Sequence, residues 1–204
     1  MTNQPVSVSP EVLDSVARGE YHSPHSVLGG HPEDGTVTVR TVRHLADEVT
    51  VVTADAEYPA SHEHNGVWVA VLPGDTVPDY RLRIRYGDTT TVVDDPYRFL
   101  PFVGELDRHL FSEGRLEELW RTLGAHRKHL SGSMGDVDGV AFAVWAPNAR
   151  AVRVVGDFNY WDGSGSSMRS LGSSGIWELF IPDVQIGARY KFEIQGPEGN
   201  WFQK

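Results

Sequence analysis

Apolar residues recur at every second position in short runs along this chain: Val37 and Val39, Val49 and Val51, Val67 and Val69, Leu82 and Ile84. Turn-forming stretches such as His64-Asn65-Gly66 and Pro73-Gly74-Asp75 separate them. A pleated strand sends successive side chains to opposite faces, so the pattern predicts short, half-buried strands. Phe142 and Val144, Val152 and Val154, Ile176 and Leu179 to Ile181, then Phe192 and Ile194 show it again. Short strands at this spacing, with almost no helical period among them, predict antiparallel β-sandwiches.

The two sets of strands read as copies of one unit. "HSVLGGHPEDGTVTVR" from His25 is answered by "WRTLGAHRKHLSGSMGDVDGVAFAV" from Trp120, 95 positions on, and Tyr80-Arg81-Leu82-Arg83-Ile84 by Tyr190-Lys191-Phe192-Glu193-Ile194, 110 positions on. An offset that grows along the chain is what one module copied twice shows when the second copy carries longer loops. Ser9-Pro10-Glu11 supplies an N-cap, a proline at the first helical position and an early acid, with Leu13 and Val16 on one face and Gly19 as terminator. Before the second copy, Ser112 reads as the cap of a helix carrying Leu116, Leu119, Trp120 and Leu123 on one stripe and ending at Gly124. Trp120 then reads as a core or interdomain packing residue, and residues 100–112 as the hinge between modules. The fold expected is all-β: two tandem immunoglobulin-like antiparallel β-sandwiches, each preceded by a short helix, over residues 1–105 and 106–204.

Duplication also sorts the aromatics. Trp68 and Trp177 correspond, as do Tyr80 and Tyr190, which assigns all four to the cores the copies share. Trp161 and Trp201 have no counterpart in the first copy and are the candidates for function. Trp161 lies in "GDFNYWDG", residues 156–163, a turn-like stretch that also holds Phe158 and Tyr160. An indole face matches the axial C–H face of a pyranose, and Asn159, Asp157 and Lys191 carry groups able to bond sugar hydroxyls. Stacking worth about 1 kcal/mol per ring sets the expected affinity at roughly millimolar to tens of micromolar. Packing of both indoles against another domain is the competing reading.

Charge and composition narrow the partners. With 18 basic and 28 acidic residues the net charge is −10, and the basic residues are scattered, which excludes a nucleic-acid partner. No run approaches the 18 or so apolar residues of a membrane span, and "MTNQPVSVSPEVLD" lacks a basic start followed by an apolar stretch. The expectation is a soluble, cytoplasmic monomer. Without cysteine there is neither a disulfide framework nor a zinc-thiolate site, and the nine histidines, six of them paired as His22/His25, His62/His64 and His126/His129, read as surface or turn residues. Asp94-Asp95, Asp136/Asp138 and Asp157/Asp162 read as turn aspartates, with nothing beside them to part their pKa values as a glycosidase requires. The Gly- and Ser-rich residues 162–175 read as a mobile loop.

Two blocks, "GVAFAVWAPNARAVRVVGDFNYWDG" and "SGIWELFIPDVQIGARYKFEIQGPEGNWFQK", carry a specific resemblance. They resemble the family-48 carbohydrate-binding module that precedes the catalytic barrel of glycogen branching enzymes. The doubled arrangement, opened by "YHSPHSVLGGHPEDG" and "LWRTLGAH", is similar to the long-amino-terminus bacterial type. Carried over position by position, the resemblance implies glucan contacts at Trp161, Lys191 and Trp201. It implies α-1,4-glucan (glycogen, maltooligosaccharides) and a C-terminal catalytic barrel as partners, with no metal or organic cofactor. Such a barrel needs about 250 residues of its own and is absent from the chain, which therefore reads as an accessory fragment without catalytic residues. The first copy, lacking both tryptophans, reads as a spacer that influences which chain lengths are transferred. The same module resembles parts of debranching and trehalose-releasing enzymes, against which the doubling argues, and a module touching no sugar remains the alternative from another class.

Overall fold

The structure, a computed structural model, describes residues 4–204; the first three residues of the stretch read for a leader lie outside the described residues. The chain packs as two compact units, one of residues 4–18, His25–Arg98 and Leu130–Val137, the other of Gly19–Pro24, Phe99–His129 and Asp138–Lys204.

The first unit begins with α1 (Pro10–Ala17), where Ser9 caps the amide of Val12, Pro10 opens the helix, and Gly19 at φ 67° follows its end. Leu13 and Val16 are buried, as their shared face predicts. Eight strands follow: β1 (Gly29–Glu33), β2 (Thr36–Val42), β3 (Glu48–Thr53), β4 (Glu57–Pro59), β5 (Ser61–His64), β6 (Val67–Pro73), β7 (Tyr80–Tyr86) and β8 (Thr89–Val93). They form two four-stranded antiparallel sheets, ordered β1-β2-β6-β5 and β4-β3-β7-β8. Val37, Val39, Trp68, Ala70 and Leu72 from one sheet meet Val49, Val51, Tyr80, Leu82 and Ile84 from the other in a single core. The period-two positions are thus the inner faces of a sandwich.

The second unit repeats this plan. It holds α2 (Glu105–Ser112), then β9 (Gly124–Leu130), β10 (Val137–Trp145), β11 (Ala151–Gly156), β12 (Arg169–Ser170), β13 (Ile176–Pro182), β14 (Tyr190–Gln195) and β15 (Trp201–Gln203). The sheets are β12-β13-β10-β9 and β11-β14-β15, so β1, β2 and β6 correspond to β9, β10 and β13, and β3, β7 and β8 to β11, β14 and β15. Paired residues keep their contacts. Trp68 donates its indole N–H to the Arg43 carbonyl at 3.1 Å, and Trp177 donates to the Ala146 carbonyl at 3.0 Å. His31 Nε2 lies 3.2 Å from the Leu28 carbonyl, and His126 Nε2 lies 3.0 Å from that of Leu123. The matched tryptophans are buried with their polar atom satisfied, which is what a shared core demands.

Four expectations are corrected. The helix before the second module is Glu105–Ser112, so Ser112 closes a helix instead of opening one. Gly114, at φ 68°, ends it: its amide bonds the Phe111 carbonyl and that of Arg115 bonds the Leu110 carbonyl, a Schellman termination. Only a 3-10 turn, Leu119–Arg121, lies between α2 and β9, so the Leu116–Leu123 stripe of an α-helix never forms, and Trp120 is 67% exposed with the Arg121 guanidinium 5.0 Å from its ring. Residues 102 and 103, within the expected hinge, are tied to the second unit. Glu178, fully buried on β13, accepts the amides of Phe102 at 3.0 Å and Val103 at 2.6 Å, with Arg169 at 3.4 Å. Asp95 is no exposed turn aspartate: it is buried, accepts the Tyr80 hydroxyl at 2.7 Å, and burial pushes both its carboxyl and the Tyr80 phenol up from their ordinary values. Residues 166–171 are not loose either, because Met168 and Leu171 are buried and the segment lies along β11. There Val154 donates to the Ser166 carbonyl, Met168 to that of Val152, and Arg153 bridges Ser167. Two apolar side chains among the serines and glycines anchor it and cover the free edge of β11.

Candidate functional site

The stretch GDFNYWDG follows β11 and gives its three aromatics three different environments. Phe158 turns inward, its ring 5.5 Å from that of the core residue Phe142. Trp161 is 40% exposed and Tyr160 is 95% exposed. Both stand in the left-handed region, at φ 63° and 55°. Two consecutive non-glycine residues there cost roughly 1–2 kcal/mol each, so something must hold them.

Asn159 does most of the holding. Its Oδ1 accepts the Gly156 amide at 2.8 Å, and its Nδ2 donates to the Val154 carbonyl at 2.9 Å and to Ser166 Oγ at 3.1 Å. The Trp161 amide bonds back to the Gly156 carbonyl at 3.1 Å, and that of Asp162 to the Asn159 carbonyl at 3.0 Å. Gly156 cannot be replaced cheaply, since a Cβ there would overlap the Arg189 carbonyl oxygen and the Phe158 ring.

Asp157 orients the indole. Its Oδ1 accepts the Trp161 Nε1–H at 3.2 Å, while Arg189 donates its amide to Oδ2 at 3.0 Å and its guanidinium to both oxygens at 3.2 Å. The hydrogen bonds from Arg189 hold the Asp157 carboxyl below the usual carboxylate range, and the indole N–H adds to the effect. Asn159 and Asp157, expected as sugar ligands, thus spend polar capacity on the turn and on the ring beside them.

Lys191 and Trp201 come from the neighbouring strands. The register sets Lys191 opposite Val155, Glu193 opposite both Arg153 and Gln203, and Gln195 opposite Ala151 and Trp201. Alternation therefore places Lys191, Glu193, Gln195, Trp201 and Arg153 on one face of β11-β14-β15, with Phe192 and Ile194 on the other. Lys191 is exposed and Trp201 half-buried. The Arg153 guanidinium lies 3.9 Å from the Trp201 ring and is tied to Glu193 at 2.8 Å, which also accepts from Gln203 at 3.0 Å. This cation–π contact occupies one face of Trp201. The arrangement sets a half-buried indole and an exposed lysine on the same sheet face.

Tyr160 was not among the sequence candidates. Like Trp161 it has no counterpart in the first copy, but nothing in the string of residues says that its ring would point to water while Phe158 turned to the core.

Residues 9–97 match the family described as alpha-1,4-glucan branching enzyme GlgB, N-terminal domain, and residues 122–204 match carbohydrate-binding module 48 (isoamylase N-terminal domain). The 1,4-alpha-glucan branching enzyme GlgB of Thermobifida fusca is 56% identical over 86% of this chain and 24% of its own length. That of Frankia casuarinae is 52% identical over 94% of this chain and 24% of its own, and that of Rhodococcus jostii 49% over 96% and 27%. The chain spans about a quarter of the length of these relatives. A solved pullulanase from Paenibacillus barengoltzii, complexed with maltohexaose and alpha-cyclodextrin, is similar at 24% identity over 42% of this chain and 15% of its own, with a TM-score of 0.33. A GlgB amino-terminal domain followed by a family-48 carbohydrate-binding module, with 49–56% identity to such relatives over the matched stretches, marks this chain as belonging to the amino-terminal region of the GlgB-type 1,4-alpha-glucan branching enzyme family.

Proposed function

We propose that the second module binds α-1,4-glucan weakly and that the chain serves as an accessory region, holding glucan near, and positioning, the catalytic barrel of a branching enzyme. The parent reaction would cut an α-1,4 link and pass the chain to a 6-hydroxyl by retaining double displacement. Trp161 and Trp201 supply the stacking faces and Lys191 a hydrogen-bond donor, while Asp157 and Asn159 shape the turn that presents Trp161. The first module acts as the spacer. One observation carries this reading: the tryptophans common to both copies are buried, whereas Trp161 and Trp201, which have no counterpart in the first copy, remain reachable at one sheet face of the second module and its adjoining turn.

The test is a titration of the 204-residue chain with maltoheptaose, followed by tryptophan fluorescence, beside Trp161→Ala and Trp201→Ala. Saturation at or below about millimolar, lost in both folded variants, is the expected result. Variants that bind like the wild type sink the proposed site, and a wild type that does not bind sinks glucan binding altogether. A second reading, in which the indoles are packing surface for another domain, draws support from the covered face of Trp201. It predicts no sugar response at all.

A further inference from the structure

We infer that Tyr160 is a third sugar-contacting ring, which extends the Trp161 platform and makes the site favour longer α-1,4-glucan chains. The inference rests on the glucan reading above and adds to it a residue and a length preference. The phenol ring stands 95% exposed at the tip of the turn, while the ring two positions earlier, Phe158, is packed on the core. Its backbone is left-handed at φ 55°, ψ 26°, immediately before the left-handed Trp161. Asparagine or glycine would take that conformation more readily. The turn therefore has no need of a phenol, and what tyrosine adds there is only its ring and hydroxyl.

The chemistry of that addition selects the occupant. Adjacent α-carbons are about 3.8 Å apart, so the Tyr160 and Trp161 rings rise from one point of the surface, within the span of a single oligosaccharide. A tyrosine offers an apolar face and, at its rim, a hydroxyl that both donates and accepts. A pyranose chain satisfies both features, since its C–H faces stack and its hydroxyls pair. A wholly apolar partner would bury the phenol hydroxyl unpaired. A short glucan seated on Trp161 leaves Tyr160 in water, and a longer one covers both rings.

The experiment compares the 204-residue chain with Tyr160→Asn and Tyr160→Phe, titrating each with maltotriose and maltoheptaose and recording the thermal midpoint. Tyr160→Asn is expected to unfold at the same or a higher temperature and to bind maltotriose like the wild type. It should bind maltoheptaose about fivefold more weakly, the equivalent of ~1 kcal/mol. Tyr160→Phe, which keeps the ring, restores affinity to within about twofold of the wild type. Unchanged maltoheptaose affinity in Tyr160→Asn overturns the inference. So does a variant that loses stability and weakens for both sugars alike, because that is the mark of a purely structural residue. Failure of the glucan reading itself looks different: the wild type binds neither sugar.

Discussion

Replacing Asn159 by alanine separates two roles that its sequence position leaves open. The side chain makes three hydrogen bonds, to the Gly156 amide, the Val154 carbonyl and Ser166 Oγ, at 2.8–3.1 Å. Each is worth about 1 kcal/mol net, and two of the groups left behind are backbone atoms. Asn159 is only partly buried, so water recovers some of the loss, and a destabilisation of about 2 kcal/mol is expected. In a domain of about 100 residues, 1 kcal/mol moves the midpoint by roughly 4–8 °C, so Asn159→Ala should unfold about 10 °C lower. Differential scanning calorimetry measures the shift and a maltoheptaose titration at 15 °C, where the variant is still folded, measures affinity. Asn159→Asp, which keeps the acceptor and loses both donors, should fall between. If Asn159→Ala keeps its midpoint within a degree or two yet loses sugar affinity, then Asn159 is a ligand and the turn is held by something else.

Two further expectations concern the first unit. Asp14 is held down to about pKa 2 by hydrogen bonds, first from His64 at 2.8 Å, then from Arg18 and Asn65. Its unfolded value is about 3.9, so the stabilisation is complete above about pH 4 and lost as pH falls toward 2. Urea midpoints of wild type and Asp14→Asn should converge across that window, and a gap independent of pH between 2 and 5 would show that the carboxylate is not responsible. Tyr80→Phe removes the hydroxyl that bonds the buried Asp95 carboxyl and should cost about 1–3 kcal/mol in chemical denaturation; a loss below about 0.5 kcal/mol would mean that Asp95 is satisfied without it.

How far the site was legible in the sequence depended on what each residue touches. Trp161 and Trp201 could be singled out because duplication supplied an internal control. Their partners could not be. Arg153 meets Trp201 only because β11, β14 and β15 align in a register that no local pattern encodes. Asn159 and Asp157 carry side chains that suit sugars and equally suit a turn, and that they hold the turn depends on Ser166, seven residues on from Asn159, and Arg189, thirty-two residues on from Asp157. Ser112, expected to open a helix, closes one for a related reason. Serine caps helices and glycine ends them, and only the packed arrangement shows which helix each serves.

By itself, then, the sequence determined the strand pattern, the doubled module and the amino-terminal cap, because alternation, repetition and capping are written in neighbouring residues. Only the tertiary structure decided that Phe158 would turn toward the core and Tyr160 to solvent, that Met168 and Leu171 would pin the serine-rich segment, and that Arg153 would lie over Trp201. Each of those outcomes depends on side chains far apart in the chain meeting across a sheet or an edge, where burial and hydrogen bonding are settled by the whole packed unit and not by local preference.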